Sequence, residues 1–563
     1  MISPPEREKL APTLPQHRGS VLLLVLVVVA ILSLGAASYM TLMQNERTAV
    51  RYHGLQGQAD ATAASCVAYV QALLSRPDSE VQLEGGLVDN PALFQALPLY
   101  ESDDPQIQWF MTIVSPGMSN GSLSGLRYGL VNESSKLHVN GLLAGELNQQ
   151  RERLMALPGM NVELADAILD WLDADDLPRE FGAEADYYAQ LDPPYAPRNG
   201  PLRSLEELLS IRGMSRDLLY GLDHNRNYQG DAGEAPRGLL LEADDSTGTL
   251  NLGMAEYLTV VSAESTITEQ GPRIDLNLPT LNTLHTSLSS QLSAEEAKFI
   301  VLYRQYGGQQ QDARESRDQN QPASAPANVE LDFEKQATTR INSLLDLVGT
   351  TVTVTSEEES GGARSGRGGN RNRGRSDSDD ESEPDGDEES QTVESPWPDT
   401  PAGYQGLLKL YDSATTSSSP TYAGRININV ASRPVLGTIP GMSYALADQI
   451  LARREPEVDM TLSDQRSPLW LLIEGLVTRE QFQQMETYIT TRGCVYSGQA
   501  VGFRQITSES GKPGESPSQI DVVARRQFRI DARGPKPELI DWSDLSSLGR
   551  GYSPATLSPE MEP

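Results

Sequence analysis

Ser20-Val21-Leu22-Leu23-Leu24-Val25-Leu26 opens an apolar run that reaches Met43 with no charged residue before Glu46. At about 1.5 Å per residue the run makes a helix of roughly 36 Å, longer than the roughly 30 Å hydrocarbon core of a bilayer. It reads as a membrane span. Arg7, Lys9 and Arg18 precede it and an acidic chain follows, so the positive-inside rule predicts a cytoplasmic N-terminus, a single pass and an outward-facing bulk.

His17-Arg18-Gly19 abuts the run directly. A protease working at the cytoplasmic surface could cut there and leave the span in place, so cleavage between Gly19 and Ser20 by a prepilin peptidase is expected. Gly35-Ala36-Ala37-Ser38 offers the small residues of a signal-peptide site, and an uncut signal anchor is the third reading.

The chain has 563 residues, a formal charge of -33 and a pI near 4.5, which gives length for several domains and excludes a broad basic phosphate-binding surface. Two cysteines exclude a disulfide scaffold and a four-thiolate zinc site, though one bond can form outside the membrane. The histidines at 17, 53, 138, 224 and 285 are too scattered for a local metal motif. No pattern reads as an active site, and the chain is expected not to be an enzyme.

Met43 to Leu74 lacks proline and keeps apolar residues at helical spacing, so the span is predicted to continue outward as one rod, weakened at Gly54 and Gly57. Strands are expected at Ile107–Val114 and Gly125–Val131, and again at Tyr488–Gly502 and Val522–Ala532. Between them the chain repeats itself. Lys136-Leu137-His138-Val139-Asn140, Arg273-Ile274-Asp275-Leu276-Asn277 and Arg425-Ile426-Asn427-Ile428-Asn429 are one short strand written three times. After the first and third copies, Leu157-Pro158-Gly159-Met160 and Ile439-Pro440-Gly441-Met442 predict two helices joined at a glycine, with Ala165, Ile168, Ala447 and Ile450 on the packing face. Looser versions follow at Ile211-Arg212-Gly213-Met214 and Ile473-Glu474-Gly475-Leu476, while the middle copy lacks the glycine. Gly307–Asn328 and Ser356–Pro401, the latter an Arg/Gly half followed by an acidic half, are too polar to fold and are expected to be disordered. The acidic half would compete with phosphate for the Arg/Gly half, which argues against RNA binding.

Asp170-Trp171-Leu172-Asp173-Ala174-Asp175-Asp176, Tyr187-Tyr188, Leu191-Asp192-Pro193-Pro194-Tyr195, Asn199-Gly200-Pro201-Leu202, Ser204-Leu205-Glu206-Glu207-Leu208 and Tyr257-Leu258-Thr259-Val260 follow the span in this order. With the Gly19 junction they resemble the minor pseudopilin K family of type II secretion over about 18–282, and again over about 425–531. The resemblance implies an α+β fold. Its pilin-like core is a long N-terminal transmembrane helix packed on an antiparallel sheet, with a large inserted helical domain of helix-hairpin-helix-like units and disordered insertions. Residues 284–424 depart from the family. The implied division is a leader at 1–19, the span at 20–43, its continuation at 44–75, the start of the sheet at 76–135 and a helical insertion at 136–256. A strand with a partial repeat follows at 257–306, a polar linker at 307–330, a short ordered segment at 331–355 and the disordered tract at 356–401. A second paired module at 402–492, C-terminal strands at 493–545 and a polar tail at 546–563 complete it.

The resemblance also implies function: export of proteins across the outer membrane from an inner-membrane anchor, with the bulk periplasmic. Other minor pseudopilins along the N-terminal helix, the prepilin peptidase and the inner-membrane secretion platform are the implied partners. Pilin-family chains usually carry Glu at the fifth mature position, to neutralise the ammonium of the subunit above. Here that position is Leu24, which implies a place at the filament tip. In a pilin-like core Cys66 on the helix and Cys494 at the start of a strand are a candidate disulfide, with two buried free thiols as the alternative.

Calcium is the candidate cofactor. Asp173, Asp175 and Glu184 occupy positions 1, 3 and 12 of an EF-hand-like loop, but Leu177 and Pro178 stand at positions 5 and 6, so the loop fails as an EF-hand. The resemblance instead implies a different calcium site drawing on Asp173, Asp175, Asp176 and Glu184. Two other functions compete: a type IV pilus minor subunit, and a membrane-anchored DNA receptor. DNA-binding hairpins need a second glycine followed by Lys or Arg, whereas this chain has Asn161-Val162-Glu163 and Ser443-Tyr444-Ala445, so nucleic acid is not an expected partner.

Overall fold

The computed structural model describes residues 20–101, 106–119, 122–231, 234, 252–268, 271–310, 329–355, 390–419, 421–455, 463–507 and 518–558. The leader with Gly19, most of the 307–330 linker and most of the 356–401 tract lie outside these residues.

The apolar run opens α1 (Ser20–Leu73), a single helix of 54 residues and so about 80 Å long. Gly54 and Gly57 do not break it. Its first part is exposed along its whole length and is long and apolar enough to cross a membrane. Further out, Ala59, Ala63, Cys66, Val67, Val70 and Leu73 fall on one stripe and are buried.

That stripe lies on a seven-stranded sheet of β1 (Leu97–Glu101), β2 (Ile107–Ser119), β3 (Ser122–Tyr128), β4 (Val131–Asn132), β5 (Val495–Thr507), β6 (Ser518–Asp531) and β7 (Glu538–Asp544). The order is β1-β2-β5-β6-β7, with β3 on β2 and β4 on β5, and every pairing is antiparallel. Trp109, Met111, Ile113, Ala500, Val522, Ala524, Phe528 and Ile530 face the helix. Gly502 sets how closely the two approach, because a Cβ there would lie 2.4 Å from Ala59 O and 2.5 Å from Ala63 N.

The opposite face is covered by the C-terminal segment, which corrects the expected polar tail over its described part. Tyr552 and Leu557 bury against Val114, Val501, Phe503 and Ile520. Thr112 donates to Leu557 O and Gln95 to Thr556 O (both 3.1 Å), so the segment is held by hydrogen bonds as well as packing.

The described residues between β4 and β5 form three modules around one continuous core. Each is closed at its base by a two-residue parallel ladder: Leu137–His138 with Leu258–Thr259, Ile274–Asp275 with Ala414–Thr415, and Ile426–Asn427 with Ile489–Thr490. The three repeated strands are the first strands of these ladders. The middle copy is therefore a whole module, not a partial one, and the helix Pro401–Ser413 closes it instead of opening the next, which moves the expected boundary at 402 to about 425.

One asparagine braces each module. Asn140 donates to Leu202 O and Val260 O (3.0 and 3.2 Å) and accepts from Leu202 N (2.8 Å). Asn277 does the same with Ile341 O, Thr416 O and Ile341 N (2.8, 3.0 and 2.9 Å). Asn429 donates to Gln465 O (2.7 Å), and its Oδ1 has no hydrogen-bond partner among the described residues.

The glycine turns form where the spacing placed them. Gly159 and Gly441 take φ +74° and +82°, a region that favours glycine, and Ala165, Ile168, Ala447 and Ile450 are fully buried behind them. Asn161 and Ser443 act as N-caps, accepting from Leu164 N and Leu446 N. The middle module has no glycine turn and starts its long helix Ala294–Tyr306 with a Ser293/Glu296 capping box.

Candidate functional site

The acidic loop after the helix Val162–Leu172 is the strongest candidate. The last turns of that helix bury Asp166 and Asp170, each of which anchors the loop. Asp166 takes a two-pronged bond from Arg151 (2.7 and 2.8 Å) and accepts Phe181 N (3.2 Å). Asp170 takes the guanidinium of Arg179 (2.7 Å) and its backbone N–H. The loop then passes so close that a Cβ on Gly182 would lie 1.8 Å from Asp170 Oδ2.

This path carries Asp173, Asp175 and Glu184 together, with one carboxylate oxygen from each within 4.8 Å of the others. Glu184 is 4% exposed, and neither of its oxygens has a hydrogen-bond partner among the described residues. Burial, reinforced by Asp170, Asp173, Asp176 and Asp175, pushes its carboxyl up to about 7. Asp173 accepts from Arg179 through Oδ2 (2.5 Å), and its buried Oδ1 has no hydrogen-bond partner among the described residues. An orphaned buried glutamate facing further carboxylates fits a hard divalent cation held by oxygen ligands. Asp176 is not in the three-carboxylate group; it accepts from Asn199 (2.8 Å) and acts on Glu184 through its charge.

The other expected positions separate. Leu24 lies exposed on α1, and Gly19 is outside the described residues. Cys66 and Cys494 are free thiols, which corrects the candidate disulfide. Cys66 meets the backbone of Val501 in the middle of β5, whereas Cys494 precedes that strand and its Sγ donates to Ala263 O (2.9 Å). At about 3.3 Å per strand residue the two sites are roughly 20 Å apart along β5, far beyond the roughly 7 Å Cα separation a bridge tolerates.

Two buried glutamates escaped the sequence reading. Glu133 accepts from Ser497 of β5 and from Thr259 in the first module's closing strand, and sits 3.8 Å from Lys136 and 3.5 Å from Arg529. Glu264 pairs with Arg273 (3.1 Å) and Arg425 (3.4 Å) and accepts from Thr490 (2.8 Å). The signal was present: a basic residue precedes each repeated strand, and buried cations need a nearby acid.

The fold and the acidic loop define a class: a chain whose long N-terminal helix opens with a stretch apolar enough to cross a membrane, then packs on a sheet that carries a modular helical body. Residues 135–224, the first module with its acidic loop, match the family model described as type II secretion system (T2SS), protein K. Type II secretion system protein K of Pectobacterium carotovorum subsp. carotovorum is 25% identical over 220 residues, 36% of this chain and 60% of that protein. The protein of the same name from Aeromonas hydrophila is 47% identical over 58 residues, 10% of this chain and 18% of that protein. The chain thus spans less than two thirds of the length of either relative. In the crystal structure of the GspK-GspI-GspJ complex from the enterotoxigenic Escherichia coli type 2 secretion system, one chain aligns at 12% identity with a TM-score of 0.33, covering 87% of this chain and 99% of that one. The chain carries the protein K domain of type II secretion at residues 135–224.

Proposed function

We propose that this chain is a minor pseudopilin of type II secretion, anchored in the inner membrane by residues 20–43 with its bulk in the periplasm. The observation that carries the reading is the protein K match over 135–224, in a module rooted on the sheet that packs against the anchor helix. In this reading α1 and the sheet are a pilin-like core, and the three modules are its insertion. A prepilin peptidase cuts between Gly19 and Ser20, the secretion platform receives the span, and other minor pseudopilins pack along α1. Leu24 has no carboxylate for an ammonium above it, which supports a position at the tip, where the modules have free space. The acidic loop holds calcium through Asp173, Asp175 and Glu184, and the ion would neutralise a buried carboxylate cluster and tie the loop to its helix.

Deleting the gene in its host tests the reading. Exported proteins should accumulate in the periplasm, and the restored chain should have a mass beginning at Ser20. Normal export with loss of surface pili would overturn it in favour of a type IV pilus subunit.

A further inference from the structure

After the short helix Arg216–Tyr220 the chain runs Asp223-His224-Asn225-Arg226-Asn227-Tyr228-Gln229-Gly230-Asp231, with Glu234 three residues further on. Side chains bearing oxygen thus fall at positions 1, 3, 5, 9 and 12 of a twelve-residue loop, and Gln229 at position 7 adds its backbone carbonyl. This is the ligand spacing of an EF-hand, complete where the 173–184 loop fails. Position 6, a turning glycine in that template, is Tyr228, which takes φ +60° all the same and is buried.

Charge in this loop is unbalanced. Asp223 and Glu234 are 3% and 7% exposed, and neither pairs with a basic side chain among the described residues. Asp223 accepts from Asn227 N (2.9 Å) and Tyr228 N (2.8 Å), one on each oxygen, so both oxygens keep a lone pair. Burial, with Glu234 and Glu256 nearby, pushes its carboxyl up to about 6. Asn225 and Asn227 turn their amide N–H groups onto the same oxygen of Asp231 (2.6 and 3.1 Å), so positions 3, 5 and 9 converge. The Oδ1 of Asn225 is itself buried and has no hydrogen-bond partner among the described residues. Turning that amide over would set Oδ1 beside the Asp231 carboxylate, an arrangement that a cation between them stabilises.

We propose that residues 223–234 form a calcium loop of their own, separate from the 173–184 site, which clamps the first module to the sheet. Oxygen donors of this number suit calcium better than magnesium, whose smaller octahedron keeps several waters. His224, Gly230 and Asp231 are exposed, so the ion has an entry path from solvent. The back of the loop is fixed elsewhere. Arg525 of β6 donates to Asn225 O and Arg226 O (2.9 and 2.7 Å), and Gln499 of β5 donates to Arg226 O (2.8 Å). Asn227 Nδ2 donates to Gly551 O (2.5 Å) in the C-terminal segment. An ion that tightens the loop therefore stiffens the junction of module, sheet and C-terminal segment, whichever filament the chain joins.

Equilibrium dialysis of the full detergent-solubilised chain against a calcium series reaching about 1 mM counts the ions and ranks their affinities. Glu184→Gln removes a ligand of the other site, and in that variant one ion per chain is expected. Adding Asp231→Asn, at an exposed position, should weaken this ion by about tenfold, as should adding Glu234→Gln. Glu295→Gln, an exposed acid in the middle module, should leave it unchanged. Calcium should also slow hydrogen exchange at 223–231 and 549–557 in Glu184→Gln, and lose that effect when Asp231→Asn is added. No ion in Glu184→Gln, an affinity that neither Asp231→Asn nor Glu234→Gln lowers, or calcium protection that spares 223–231 would each overturn the proposal. An ion count that Glu184→Gln does not reduce, with Asp231→Asn still weakening the ion, would remove calcium from the 173–184 loop and leave this site standing. A chain that binds no calcium would remove both.

Discussion

Glu133 and Glu264 stand at the bases of different modules and hold a similar set of partners, a threonine of the closing strand and the basic residue before the opening strand. They differ in what else they join. Glu133 reaches Ser497 and Arg529 and so fastens the first module to the sheet. Glu264 takes Arg273 and Arg425 together and so fastens the second and third modules to each other. The difference teaches that the repeat is preserved at its base, where the ladder, the asparagine and the acid recur, more than in the helices above it. It also distinguishes the contact that ties the first module to the sheet from the one that ties the second and third modules to each other.

Removing the shared acid should be the most damaging change. Glu264→Ala leaves Arg273, with 4% side-chain exposure, and Arg425 without their ion-pair partner. Breaking a buried pair from one side costs about 3–5 kcal/mol. Glu133→Ala should cost less, because Lys136 keeps Glu256 and Arg529 keeps Asp541, each at 3.4 Å. Urea unfolding of the detergent-solubilised protein compares the two, and equal losses would break the distinction between the bases.

A smaller effect tests whether the first module is a unit of its own. Glu184 has its folded value raised from 4.5 to about 7. Below 4.5 it is protonated in both states; as pH rises the unfolded chain releases its proton first, so stability is lost through the window from 4.5 to about 7, by up to about 3 kcal/mol. Calcium should reverse the trend near neutral pH, and Glu184→Gln should abolish both effects. Hydrogen exchange should confine the change to residues 137–259, and an equal response in 426–490 would mean that the modules open together.

The sequence was informative where chemistry is periodic or sharply local. The span, the rod beyond it, the three repeated strands and the glycine turns are patterns of spacing, and each appears where that spacing placed it. Asp173, Asp175 and Glu184 were visible as acids at loop intervals even though the EF-hand template failed. What stayed hidden depends on distant partners. Ala414 and Thr415 close the middle module by pairing with Ile274 and Asp275 across more than a hundred residues of sequence that include two long polar stretches, so that module looked incomplete. Tyr552 and Leu557 look like isolated apolar residues in a polar tail until the far face of the sheet is present to bury them. Cys66 and Cys494 sit on the predicted helix and at the start of the predicted strand, but the register between those elements, set where Gly502 meets Ala59 and Ala63, keeps the thiols apart.

The finest comparison is between asparagines at matching positions. Asn140 makes two donated bonds and one accepted bond, linking its strand to the second half of the module and to the closing segment. Asn429 donates once, to Gln465 O, and its Oδ1 accepts from no described residue. A net hydrogen bond contributes about 1 kcal/mol, and more where a buried partner is left unpaired. Asn140→Ala should therefore lower stability by about 2 kcal/mol and Asn429→Ala by about 1 kcal/mol, in the same urea series. If the bracing is as local as the geometry indicates, the double variant should lose about the sum, since the two sites share no partner. A loss well above the sum would mean that the base of the third module leans on the first, and that the boundary drawn between Glu133 and Glu264 is softer than their partners suggest.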